Sequence, residues 1–192
     1  MHADVDPEER IAAPGDLELV RAFANTLRVE DDRDELATSQ ELKRWLQSHL
    51  GMSRRVPVGQ GVHRLALRLR HALRGLMAVN SGEALPADIP TELNRLIAQL
   101  KVELEWDTSG ALRIDSGRSG PEHELGRLLG FVTTAAAEGR WARLKLCRNL
   151  ECRWAFYDQS RSRTGRWCDM AVCGRRINQR RYRRRKNLGA AR

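Results

Sequence analysis

The sequence predicts an α+β fold: a mainly helical N-terminal body with a small antiparallel hairpin, followed by a treble-clef-like four-cysteine zinc finger. Three observations carry this. Apolar residues recur at helical spacing through most of residues 1–139, one short stretch switches to strict alternation, and all four cysteines fall within residues 147–173. At 192 residues the chain has room for one ordinary domain or two small ones.

Residues 1–15 are polar, hold Pro7, Pro14 and Gly15, and are expected to be disordered. Asp16 is a capping residue type, and Leu17, Val20, Ala24 and Leu27 then mark a helical face that Leu19 and Phe23 widen. The stretch 30–35 reads as a charged loop. Thr38-Ser-Gln-Glu41 has capping-box spacing ahead of a face made by Leu42, Trp45, Leu46 and His49. Gly51 to Gly61, holding Pro57 and Gly59, is a loop. A longer helix follows from Val62 to about Asn80, through Leu65, Leu69, Ala72, Leu73, Leu76 and Met77.

A turn over 81–86 leads to a helix begun near Pro90 and carrying Leu93, Leu96, Ile97 and Leu100. Residues 100–106 and 111–114 alternate on either side of Asp107-Thr-Ser-Gly110, the pattern of a β-hairpin. Ser119-Gly-Pro-Glu122 is a second capping-box spacing. It precedes a helix through Leu125, Leu128, Leu129, Val132 and Ala136 that Gly139 stops.

Charge divides the chain. Lys+Arg number 34 against 25 Asp+Glu, a net of +9, but residues 140–192 hold 17 basic and only 3 acidic side chains. The preceding 139 residues are therefore net acidic. Codon bias explains why only four of the basic residues are Lys; it does not explain why acids avoid the last quarter. The division reads as a disordered start (1–15), an α+β body (16–139), a finger with a basic helix (140–187) and a short tail (188–192), the finger gripping a polyanion.

Cys147-x4-Cys152 and Cys168-x4-Cys173, fifteen residues apart, suit one structural zinc ion held by four thiolates. An iron–sulfur cluster and disulfides are the alternatives, the latter disfavoured in a cytosolic chain. Between the pairs, 154–157 reads as a strand, 158–165 as a turn and 166–168 as a return strand. About 50 residues are too few for a large apolar core, so the metal is expected to supply much of the finger's folding energy.

Residues 175–186 form a helix without a breaker that carries eight positive charges: Arg175, Arg176, Arg180, Arg181, Arg183, Arg184, Arg185 and Lys186. Such charges repel one another along a helix, and a phosphate backbone relieves that repulsion. Arg161, Arg163 and Arg166 offer a second contact row, and Asn178 and Gln179 are neutral groups able to read base edges. Trp154, Phe156, Tyr157 and Trp167 are expected to form the small core beside the metal. Stacking on unpaired bases, and hence RNA as partner, is the rival reading.

The five histidines form no metal-type pair, and no phosphate loop, nucleophile elbow or carboxylate dyad is present, so no enzyme is expected. Asn25, Thr26, Arg70 and Asn94 are polar groups in apolar helices. They either line a ligand pocket, where Arg70 would suit a carboxylate or phosphate, or simply cap and cross-link helices. The N-terminus lacks a secretory signal and no run spans a bilayer, so a cytoplasmic location without membrane contact is expected.

Cys147-x4-Cys152, the runs 154–158 and 160–163, and Arg166-Trp-Cys-Asp-Met-Ala-Val-Cys-Gly174 together resemble the CGNR zinc-finger family. Residues 16–17, 23–26, 35–38, Leu42, Trp45-Leu46, 69–73 and Leu93-Asn94 resemble the ABATE-type N-terminal domain that accompanies that finger. The resemblance implies a bacterial transcription regulator whose finger binds DNA and whose body senses a signal, an unidentified small-molecule effector among the candidates, with a homodimer one arrangement open to it. A body that binds small molecules, with a finger that only mediates protein contacts, is the remaining rival. One departure stands out: the motif's Asn is Arg175 here, so that position is expected to hold a phosphate.

Overall fold

The computed structural model describes residues 12–189, so the expectation of disorder over residues 1–11 lies outside the described residues. Ala13 is already buried in the core, and its amide N–H donates to Glu18 Oε2 at 2.7 Å.

Among the described residues, six α-helices and three two-stranded antiparallel sheets follow in the order α1 (Leu17–Asn25), β1 (Leu27–Arg28), β2 (Arg33–Asp34), α2 (Ser39–Leu50), α3 (Gln60–Asn80), α4 (Ile89–Leu100), β3 (Val102–Trp106), β4 (Leu112–Ser116), α5 (Pro121–Ala137), β5 (Leu144–Leu146), β6 (Ala155–Tyr157) and α6 (Arg175–Gly189). The α+β expectation holds. Among the described residues no helix is long and apolar enough to cross a membrane.

The Thr38 capping box forms in full. Thr38 Oγ1 accepts the Glu41 amide at 3.2 Å while the Thr38 amide donates to Glu41 Oε2 at 2.8 Å. The second box does not form. Gly120 occupies the N-cap with φ 64° and offers no side chain, so Pro121 opens α5 through its fixed φ instead. Asp16 does not cap either; Glu18 ties the start of α1 back to Ala13. The expected charged loop over 30–35 is partly a tight hairpin, in which Asp32 takes φ 51° and Arg28 pairs with Asp31 at 2.8 Å.

The β3–β4 hairpin pairs Trp106 with Leu112, Leu104 with Ile114 and Val102 with Ser116. Its base lies on α5, where Gly126 and Gly130 permit the approach: a Cβ on Gly126 would strike the Ser116 side chain, and one on Gly130 would stand 2.9 Å from the Ile114 carbonyl.

Among the described residues, the larger of two apolar clusters spans the body and the start of the finger. It contains Leu17, Val20 and Phe23 of α1, Leu69, Leu73 and Met77 of α3 and Leu125, Leu128 and Val132 of α5. It also takes in Leu144, Leu146, Ala155 and Tyr157, so the strands that lead into the cysteines are packed inside the body's own core. Polar bonds seal the junction. Asn25 Nδ2 donates to the Ala155 carbonyl at 2.9 Å and Asn25 Oδ1 accepts the Ala155 amide at 2.7 Å. Ser81 does the same for Leu146, donating at 2.8 Å and accepting at 2.9 Å. Buried Arg74 links the Ala24 carbonyl to that of Arg153, at 2.8 and 2.9 Å; burial pulls its guanidinium down to about 10, still charged at neutral pH.

Candidate metal centre and nucleic-acid interface

Strand β5 ends at Leu146 and delivers Cys147, whose amide donates to the Trp154 carbonyl at 2.8 Å and closes the hairpin. In the turn between them the Asn149 carbonyl accepts both the Cys152 and Arg153 amides at 2.9 Å, and Arg153 adopts φ 50°. This folds the first Cys-x4-Cys into a knuckle. The second pair lies on a wide π turn over Met170–Gly174, begun by the Asp169 carboxylate accepting the Val172 amide at 2.9 Å. Gly174 lets the Met170 side chain and the Trp167 ring close over the turn: a Cβ there would stand 2.6 Å from Met170 Sδ and 3.2 Å from the Trp167 ring.

The four sulfurs all lie within 4.8 Å of one another and all four residues are buried. The Cys152–Cys168 and Cys168–Cys173 separations are 3.7 and 3.8 Å. A tetrahedron with Zn–S bonds of about 2.3 Å has edges of about 3.8 Å, whereas a disulfide needs about 2.0 Å. The geometry therefore fits one structural zinc ion held by Cys147, Cys152, Cys168 and Cys173, with no disulfide. Hydrogen bonds from Cys147 and the other thiols drive the Cys152 thiol far down, and its three neighbours drive the Cys168 thiol up. Four thiols this close cannot all ionise unaided, and a bound zinc ion would supply the charge that lets all four act as thiolates. Phe156 is buried against the cluster, with Trp154, Trp167 and Val172 half-buried around it.

Asn149 was not singled out in the sequence. It is 1% exposed, and its Nδ2 donates to Cys173 Sγ at 3.8 Å, bridging the two halves of the cluster.

Beyond β6, Asp158 shapes the arginine loop. Its carboxylate accepts from Lys145 Nζ at 2.7 Å, from the Ser160 amide at 3.0 Å and from the Gly165 amide at 2.7 Å. Burial works to raise the Asp158 carboxyl, but the Lys145, Ser160 and Gly165 hydrogen bonds outweigh it and hold it at about 2. Around this frame Arg161, Arg163 and Arg166 are all exposed.

Helix α6 starts directly after the second knuckle. Arg176 pairs with Glu30 at 2.6 Å and Arg180 with Glu151 at 2.6 Å, so one ridge of the helix is tied to carboxylates. Arg175, Asn178, Gln179, Tyr182 and Arg183 are exposed. Arg181, Arg184, Arg185 and Lys186 belong to α6, but their side chains lie outside the described ones.

A model of the ABATE family, whose description reads "Putative stress-induced transcription regulator", matches residues 17–139, well over half of the chain. The chain belongs to the ABATE family. The CGNR zinc-finger model matches residues 143–186. No curated protein matches the chain.

In this CGNR finger Arg175 stands where the motif has Asn; it opens α6 directly after the turn that Asp169 caps, and its side chain is exposed. Within the ABATE body, Asn25, Thr26 and Arg70 come together, but their polar atoms face protein partners. Arg70 donates to both Asp34 oxygens, at 2.6 and 2.7 Å, and to Thr26 Oγ1 at 3.0 Å. Burial raises Asp34, but the Arg70 and Leu36 hydrogen bonds outweigh it and leave the carboxyl below its ordinary value. Asn25 is committed to Ala155. Asn94 sits on the exposed face of α4, outside that buried network.

Proposed function

We propose that this chain is a DNA-binding transcription regulator, with the loop 158–167 and α6 as its nucleic-acid interface and the ABATE body as its signal-sensing part. The observation that carries the reading is the placement of exposed arginines on both sides of one metal centre. Arg161, Arg163 and Arg166 precede Cys168, while Arg175 and Arg183 follow Cys173. One zinc ion held by the four cysteines between them would anchor both arginine runs on one module.

The orientation of α6 supports the same reading. With Arg176 and Arg180 tied to carboxylates, the ridge through Asn178 and Tyr182 points the other way. Asn178 is then positioned to read a base edge, with Gln179 beside it and Arg175 on a phosphate. Burial of Phe156 and Tyr157 takes away two of the four aromatics that an RNA-stacking surface would use, which favours duplex DNA. The reading assigns no catalytic step to any residue and places the protein in the cytoplasm.

Salt titration of duplex binding tests the proposal. If four arginines meet phosphates, log K falls against log salt with a slope of about −3.6. A slope near zero, or retention of DNA untouched by zinc chelation, rejects it. Tighter binding of structured RNA at equal salt would favour the RNA reading.

A further inference from the structure

We propose that the groove between α3 and α4 is a binding site for a small oxyanion, a carboxylate or a phosphate monoester. It encloses about 430 Å³ and is lined by Arg64, Leu65, Arg68, Gln99, Arg118 and Glu122, with Gly61 at one end. Gln99 organises it. Its Oε1 accepts from Arg68 Nη1 at 3.2 Å, and its backbone carbonyl accepts from Arg118 Nε at 2.9 Å. Two guanidiniums from distant parts of the chain are thereby held against one wall. Glu92 fixes Arg68 further through a 2.5 Å bond to Nε.

Arg64 lies one turn before Arg68 on the same face of α3 and makes no ion pair among the described residues. Three guanidiniums therefore meet one carboxylate, Glu122, in the lining, and Glu92 offsets Arg68 from beside it. One positive charge is left over. Guanidinium forks match the planar oxygens of carboxylates and the oxygens of phosphates, and pinning them in advance lowers the ordering cost of binding. Leu65 gives the ligand's carbon skeleton an apolar surface. A second cavity of about 670 Å³ shares Arg68 and continues past His71, Thr91 and Asp88, leaving space for a polar far end. The site is distinct from the Arg70–Asp34 pair and does not require that the finger bind DNA.

Thermal unfolding of the full zinc-loaded chain tests this, with inorganic phosphate and succinate compared against chloride at matched ionic strength. The expected result is a saturable rise of about 3 °C at ten times the dissociation constant for at least one of the two. A phosphate-only response assigns the phosphate class, a succinate-only response the carboxylate class. The rise should vanish in Arg64→Ala/Arg118→Ala and in Gln99→Ala, yet persist in Arg113→Ala, which removes an arginine on the β3–β4 hairpin instead. A rise no larger than with chloride, or one that survives the groove variants, overturns the assignment. Loss of duplex binding in the groove variants would place these arginines on a polyanion surface and overturn the small-ligand site.

Discussion

At the scale of single residues, two polar groups, half-buried Asp34 and buried Asn149, decide more than their neighbours. Asp34 receives Arg70 in a bidentate pair, and its carboxyl is held below its ordinary value. A group so lowered stabilises the fold above the unfolded value and loses that contribution as pH falls through the folded one. Asp34→Asn should destabilise the body by about 3 kcal/mol at neutral pH, since it leaves a buried guanidinium without its counter-charge. The gap to the parent should close below about pH 4 in denaturant unfolding. Asn149→Ala removes the amide that reaches Cys173 and should weaken zinc affinity by about 10-fold or more in chelator competition. Neither role was legible in the sequence. Asp34 sits in a charged run that reads as solvated, and Asn149 acts on a sulfur in the other half of the metal site. The four sulfurs themselves were legible, because their paired spacing is itself the signature of a metal site.

At the scale of elements, the periods in the sequence identify every helix of the body and the β3–β4 hairpin. What they miss has a physical cause. Strands β1 and β2 are two residues each, too short to alternate. Strand β5 is hidden because all three of its residues are buried, Lys145 included, whose ammonium is satisfied by the Asp158 carboxylate and the Arg163 and Gly165 carbonyls. The capping spacing at 119–122 fails where that at 38–41 succeeds, because Gly120 and Pro121 shift the helix start by one residue. For α6, the ion pairs to Glu30 and Glu151 withhold two arginines from any polyanion. Replacing both carboxylates with Gln should release them, raise duplex affinity at low salt and steepen the salt slope by up to about 1.8. An unchanged slope would show that Arg176 and Arg180 never reach phosphates.

At the scale of the whole molecule, the sequence separates body from finger at residue 140, guided by charge. Charge patterning reports surfaces, however, and the interior follows a different division. Leu144, Leu146, Ala155 and Tyr157 lie in the body's core, and Asn25, Ser81 and Arg74 bond to the finger's backbone. Cys168→Ser is therefore expected to loosen more than the finger. Fluorescence from Trp45 in α2 and from Trp167 beside the metal, each kept as the sole tryptophan, should share one melting midpoint in the zinc-loaded protein. Chelation should lower both midpoints together. Two well-separated transitions would mean that the halves fold independently.

Mixing halves from different proteins would accordingly not work here as it does for beads on a string. A transplanted finger would arrive with two greasy strands and no surface to lay them on, and the body left behind would keep an open seam along its first and third helices.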